Sequence, residues 1–226
     1  MKNNLLIFLL FVMVFLSGCV YQESSIKNSP QAKEELQQFL QKVPSLGVLD
    51  IAYSLQVSIL NKNITDITFR QIKKGNQQRQ DSHGNMLGFN LNATSIIKEG
   101  QQVTCAVFDN EWKCSYGDEV CIEKDKVKQC QSVSHEGIPP TIKPELLKKT
   151  EVAYASSRQI IGMDVKCYIL SGTENGRKVS MEACLNQDGL IFSMSTKAKG
   201  FQATIEAKSF SITVEPDSFS LPAKIS

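Results

Sequence analysis

The stretch from Cys167 to Cys184, CYILSGTENGRKVSMEAC, constrains this chain more than any other. Asn-Gly is the strongest two-residue signal for a type I′ hairpin, and Asn175-Gly176 lies at its centre. A turn there sets Glu174 opposite Arg177 as an oppositely charged, hydrogen-bonded pair. Ladder pairs alternate in type from that point, so Cys167 falls opposite Cys184 at a non-hydrogen-bonded pair. Cα atoms are closest at such pairs, about 4.5 Å apart, a separation that suits a disulfide. The same counting works for CAVFDNEWKC, from Cys105 to Cys114 around Asp109-Asn110, and for CIEKDKVKQC, from Cys121 to Cys130 around Asp125-Lys126. The spacing therefore predicts three local bridges, 105–114, 121–130 and 167–184, each stabilising by about 2–3 kcal/mol and pinning strand register. These spacings are too wide for zinc knuckles, and no Cys-x-x-Cys redox pair occurs.

Antiparallel pairing extends over most of the chain. DIAYSLQVSIL and ITDITFRQI are rich in β-branched residues, and FQATIEA alternates, with Phe201, Ala203, Ile205 and Ala207 on one side. Turn signals fall at Asn61-Lys62-Asn63, His83-Gly84-Asn85 and Asp188-Gly189. In the 167–184 hairpin Tyr168, Leu170, Val179, Met181 and Ala183 make an apolar face, so the bridge is expected on the polar face with Ser171, Ser180 and Glu182. Before the strands, SPQAKEELQQFLQKV places Ala32, Leu36, Phe39, Leu40 and Val43 on one helical face. Ser29 is the expected N-cap, Pro30 the first helical residue and Pro44 the stop. The helix is expected to pack on the protein's own sheet.

Seven cysteines leave one over, Cys19. It follows Lys2 and a twelve-residue apolar run from Leu5 to Leu16, too short to span a bilayer comfortably and of the right form for an export signal. Leu16-Ser17-Gly18-Cys19 resembles the lipobox of prokaryotic lipoproteins, which implies cleavage before Cys19 and lipidation of its thiol. The expected organisation is a signal peptide over 1–18, a flexible tether over 19–30 and a single domain over 31–226. The implied location is the extracytoplasmic face of the cell membrane, the outer membrane if the host has one, with membrane lipid as the anchor's partner.

The second half, IIGMDVKCYIL, then DGLIFSMSTKAKGFQATIEAKSF, then FSLP, resembles the lipoprotein-localisation-factor family, the LolA/LolB-like half-barrels. The residues carrying this are Ile160, Gly162, Tyr168, Asp188, Gly189, Leu190, Phe219 and Pro222. The disulfide hairpins look similar to a lipid-anchored, cysteine-rich branch found in archaea. The resemblance implies a mainly β (α+β) fold, an antiparallel sheet curled into an incomplete half-barrel with a few lidding helices. It also implies an apolar cavity for a lipid, acyl-chain or lipoprotein ligand, held without covalent chemistry. Residues 145–149, after the Pro139-Pro140 break, are the expected second lid. An anchored chain fits a stationary acceptor better than a shuttle. The alternative is a structural or interaction lipoprotein of the envelope that uses the sheet as a scaffold and takes a protein partner.

The leader's only charge is Lys2, so the 25 Lys and Arg against 23 Asp and Glu of the whole chain come close to balance. A near-neutral surface carries no footprint for nucleic acid. His83 and His135 both fall in polar connectors, and no phosphate loop, His-Glu-x-x-His or nucleophile elbow is present. No enzyme, cofactor or metal site is expected. Trp112 is expected beside the 105–114 bridge as packing. Asn63-Ile-Thr and Asn92-Ala-Thr match the glycosylation acceptor pattern.

Overall fold

A computed structural model describes residues 28–42, 47–60, 62–86, 89–124, 126–132, 140–142, 144–174, 177–198 and 201–225. Cys19, the leader, Pro44, His135, Pro139 and the Asn175-Gly176 turn lie outside the described residues. Helix α1 (Pro30–Lys42) opens the fold. It is followed by strands β1 (Val48–Ile59), β2 (Lys62–Lys74), β3 (Gln77–Met86), β4 (Phe89–Lys98), β5 (Gln101–Phe108) and β6 (Glu111–Tyr116). A separate hairpin, β7 (Glu119–Lys124) and β8 (Val127–Ser132), precedes the short helix α2 (Pro144–Lys149). The chain then runs through β9 (Glu151–Ile160), β10 (Met163–Glu174), β11 (Arg177–Leu185), β12 (Ile191–Ala198) and β13 (Phe201–Ser211).

Eleven strands form one antiparallel sheet in the order β6-β5-β4-β3-β2-β1-β13-β12-β11-β10-β9. Two meanders, β1–β6 and β9–β13, thus meet where β1 pairs with β13. The ends, β6 and β9, do not pair with each other, so the sheet is an incomplete barrel. Register shifts at Ala52/Tyr53, Val57/Ser58, Cys167/Tyr168 and Cys184/Leu185 mark bulges along its middle and second half. Bulges bend the strand and deepen its right-handed twist, which curls so wide a sheet.

The core follows this curl. Leu36 and Ala32 of α1, Leu147 of α2 and Ile142 pack against Val152, Tyr168, Leu170, Ala183, Leu185 and Ile191. A second cluster joins Leu49, Ile51 and Tyr53 of β1 to Ala207, Phe192, Leu190 and the Cys167–Cys184 pair. The buried Tyr53 hydroxyl of β1 donates to the Ile191 carbonyl of β12 at 2.8 Å, reaching past the intervening strand β13. Burial pushes the Tyr53 phenol well above its ordinary range.

Two local expectations are corrected. The Cys167–Cys184 bridge is not on a polar outer face: both sulfurs are buried in the second cluster beside Val165 and Phe192. Only its rim is polar, where an Arg158 Nη2 lies 3.2 Å from Cys184 Sγ and pairs with Glu182 at 3.1 Å. The curled sheet buries both sides of this hairpin, which alternation along one hairpin does not reveal. His83-Gly84-Asn85 is not a turn but part of β3, with His83 opposite Thr68 and Asn92. Gly84 is required there for another reason. It adopts φ +141°, and a Cβ at this position would sit 2.0 Å from the Asp66 carbonyl oxygen of β2.

Candidate functional site

A groove lies between the two helices and the β11–β12 turn. It encloses about 390 Å³, with walls from Leu40 of α1, Ile142, Leu147 of α2, and Leu190 and Ile191. Gln37 and Gln41, one helical turn apart on α1, stand at its mouth. Each wall is ordered by its own local chemistry. Ser29 caps α1, its Oγ accepting from the Ala32 N–H at 3.2 Å, with Pro30 in the first turn. In the β11–β12 turn, Asn186 Oδ1 accepts from the N–H groups of Asp188 at 3.1 Å and Leu190 at 3.0 Å. Gly189 supplies φ +82° in that turn, and Leu190 is thereby turned into the groove.

Helix α1 is tied down along its length. Lys33 Nζ donates to the Thr150 carbonyl at 3.1 Å, and Lys42 Nζ to the Gln187 carbonyl at 3.1 Å. Midway, Glu35 accepts from the Tyr168 hydroxyl at 2.9 Å and pairs with Lys166 of β10. The Lys166 hydrogen bond, helped by Tyr168 and opposed by partial desolvation, holds the Glu35 carboxyl below its usual range. Burial and the facing Glu35 carboxylate push the Tyr168 phenol up. The Phe39 ring lies beneath both Lys42 Nζ, 5.2 Å from its centroid, and Lys166 Nζ at 5.9 Å. These contacts hold the helix as a fastened lid.

The groove brings together only some of the residues singled out in the sequence. Leu40 of the apolar helix face, and Gly189 and Leu190 of the Asp-Gly-Leu motif, line it; Tyr168 fastens its lid. Ile160 and Gly162 flank the β9–β10 turn instead, and Phe219 and Pro222 lie on the segment after β13. Disulfides join Cys105 to Cys114, Cys121 to Cys130 and Cys167 to Cys184, and none of these cysteines lines the groove. Trp112 packs beside the first bridge with Ala223 and Ile225. His83 is exposed on β3 and does not line the groove. Pro140 and Ile142 reach the groove, although the sequence marks them only as the sequel to a proline break.

The arrangement can shelter an apolar chain with uncharged amides at its mouth. Its described walls bring together no nucleophile and base. Among the described residues carboxylate and sulfur converge at two places, Glu119 with Cys121 and Cys130, and Glu182 with Cys167 and Cys184, and in each both sulfurs are committed to a disulfide. They therefore offer no thiolate to a metal.

No protein-family model matches the sequence, and no curated protein is similar to it at a significant level. Solved structures do share its architecture. LprF from Mycobacterium bovis superposes with a TM-score of 0.52 at 8% identity, over 87% of this chain and 99% of that one. MucB superposes with a TM-score of 0.52 at 11% identity, over 87% of this chain. The chain therefore shares the fold of these structures, here a curled antiparallel sheet that does not close. The Pseudomonas aeruginosa MucA/MucB complex gives a TM-score of 0.50 at 10% identity, and the chain spans 61% of its matched chain. At these identities the half-barrel is shared as a fold, with two helices against one side of a curled, unclosed sheet in this chain.

Proposed function

We propose that this half-barrel is a membrane-anchored, extracytoplasmic lipoprotein that shelters an acyl chain of a lipid in the groove beneath α1. The single observation that carries the reading is that groove. Its volume of about 390 Å³ and its Leu40, Ile142, Leu147, Leu190 and Ile191 walls fit the size and apolar character of small-molecule sites, roughly 300–1,000 Å³. Each buried methylene of a chain there contributes about 0.8 kcal/mol. The leader over 1–18, the lipobox thiol of Cys19 and a tether over 19–30 supply export and anchoring, and two acyl chains on Cys19 would hold the domain at the membrane. The domain over 31–226 then acts as a stationary acceptor, binding without covalent chemistry.

The test is native mass spectrometry of the full chain extracted from membranes. One acyl-bearing molecule should stay bound to the wild type and be lost from Leu40→Asp, which puts a charge on the groove wall. A wild type that carries no lipid and takes up none from phospholipid vesicles would overturn the reading. A second reading is an interaction lipoprotein, favoured by the likeness to MucB, a protein solved in complex with MucA. Crosslinking in cells that recovers one protein and no lipid would decide for it.

A further inference from the structure

The turn between β1 and β2 carries an apolar residue where local folding favours a polar one. Ile59 pairs with Lys62 across a two-residue link, Leu60-Asn61. Leu60 takes φ +49° there, a left-handed conformation that Gly, Asn and Asp enter readily and a leucine enters at a cost. Of the six described residues other than glycine with positive φ, only Leu60 and Ile161 are apolar. Leu60 is also 76% exposed and Ile59 43%, so burial within the chain does not offset that cost. A lone exposed leucine needs no explanation. Here, however, the half-buried Phe201 stands opposite Ile59, and Ala198 opposite Phe201, so the apolar tip widens along one rim of the sheet. Exposed Lys62 and Lys197 flank it.

The same rim is the one at which the chain enters the fold. The first described residue, Asn28, accepts through Oδ1 from the Val152 N–H near the start of β9. Val152 is opposite Leu170, and the row continues through Met181, Thr196 and Ala203 to Val57. Asn28 therefore stands at the height of Val57, three residues from Leu60, or about 10 Å at the rise of a strand. Asn28 lies nine positions after Cys19, a stretch that spans about 30 Å when fully extended. A lipid on Cys19 can thus sit level with Leu60 and leave the tether slack. Ile161 lies nine positions after Val152, past the other end of β9, about 30 Å away. Exposed Ile212 follows β13 at that far end too. The far rim would meet the anchor's membrane only with the tether drawn taut.

We infer that the β1–β2 tip, with Ile59, Leu60 and Phe201, dips into the lipid leaflet that carries the anchor. This rests on the proposed lipidation of Cys19 and not on what the groove holds. Apolar side chains at the acyl boundary, with lysines beside them at the phosphates, suit an interfacial contact with anionic lipid. A protein partner fits less well, because a stable interface takes about 800 Å² from each side, far more than a two-residue tip offers. A tethered domain meets its own bilayer at high effective concentration, so a small apolar tip suffices. Behind the tip, Val57 and Ala203, then Leu55, Ile205, Met194 and Ala183, continue one sheet face to Tyr168, whose hydroxyl meets α1 at Glu35. The tip thus places an apolar sheet face between the leaflet and the lid.

The experiment uses the full chain, extracted from membranes and reconstituted in vesicles of phosphatidylcholine and phosphatidylglycerol. Ile59→Cys, Leu60→Cys or Ile161→Cys carries an environment-sensitive fluorophore, and intact mass reports whether Cys19 bears lipid. The expected result is blue-shifted emission at position 60, quenched by nitroxides on shallow acyl carbons, with position 161 left in water. Leu60→Asn then separates insertion from folding. Asparagine suits the left-handed backbone, so the melting temperature should hold or rise, while quenching of a probe at position 59 falls by about threefold. A leucine kept for folding alone would give the reverse, lower stability with unchanged quenching, and would overturn the inference. So would a probe at 60 that stays in water on a lipidated chain, or equal quenching at 161. Shielding of position 60 in native envelope fragments but not in protein-free vesicles would assign the tip to a protein and overturn it as well. Insertion at 60 by a chain whose Cys19 bears no lipid would support the tip and count against the anchor alone.

Discussion

Leu36→Ala tests whether α1 is a structural lid or an appendage. Leu36 is fully buried on the helix, packed among Ile142, Leu147, Val152 and Tyr168. Truncating a fully buried leucine has cost about 2.7–5 kcal/mol in a well-studied series, the spread reflecting how far the surroundings collapse into the cavity. Here one neighbour is α2, a helix of only six residues, which can shift inward more readily than a strand. The expected loss is therefore about 3 kcal/mol, toward the lower end. In a domain of this size that lowers the melting temperature by about 6–12 °C, at 2–4 °C per kcal/mol. The assay is urea unfolding of the full chain by circular dichroism, with amide exchange read separately over α1 and β1. Faster exchange in α1 at unchanged global stability would show the lid opening as a unit of its own. A loss under about 1 kcal/mol with unchanged exchange in α1 would refute the account of the helix as bound through Leu36.

Two further outcomes follow from the same geometry. Glu35 has its carboxyl held below the ordinary range by Lys166, so its contribution is present above the unfolded-state value and is lost as pH falls through the lower folded value. Both partners are well exposed, 47% and 36%, so screening limits the effect to under about 1 kcal/mol. Glu35→Gln should lower stability at neutral pH and flatten that part of the acid dependence, measured by urea unfolding between about pH 3 and 7. Under mild reductant the three bridges should open in order of access. Cys121–Cys130, half-buried in a two-stranded hairpin, should open first, well before the buried Cys105–Cys114 and Cys167–Cys184; timed alkylation and peptide mapping would read the order.

Much of the fold is legible because hairpin pairing is local. Sequence separations of nine and seventeen between cysteines are enough to set register, and the ladders align Cys105 with Cys114, Cys121 with Cys130 and Cys167 with Cys184. Helix α1 is equally plain, because Ser29, Pro30 and the spacing of Ala32 and Leu36 agree on one helix. What a local reading misses is whatever depends on how the sheet closes over itself. Gln71, at the end of the β-rich run ITDITFRQI, and Gln80 are polar residues with nothing in the sequence to mark them as interior, yet both are buried. His83-Gly84-Asn85 has turn composition, yet its glycine serves a close strand approach. The groove draws its walls from α1, residues 140–147 and residues 189–191; Asp188-Gly189-Leu190 is visible as a motif, but nothing in the sequence shows which helix it will face.

An open sheet must also deal with its edges, since unpaired backbone groups invite another strand. Both edges here are met by segments that flank the sheet in sequence. At β9, the Ser29 N–H donates to the Val152 carbonyl at 2.9 Å, and Asn28 Oδ1 accepts from the Val152 N–H at 3.3 Å. At β6, Ile225 forms a parallel bridge with Cys114. The disulfide explains why that position is available. The Cα atoms of Cys105 and Cys114 are 4.0 Å apart, the short spacing of a non-hydrogen-bonded pair. The backbone groups of Cys114 therefore point away from β5, toward the free edge, where Ile225 meets them. Ala223 and Ile225 also cover Trp112 and the bridge, and Arg79 Nη1 holds the approach by donating to the Ser218 carbonyl at 3.0 Å. A stop after Pro222 should thus uncover both the β6 edge and an apolar patch while leaving the groove intact. The expected result is a concentration-dependent dimer by light scattering, reversed by adding a charge to the edge with Ser115→Lys. A truncated chain that stays monomeric at the same melting temperature would show that the segment after β13 plays no part in guarding the sheet.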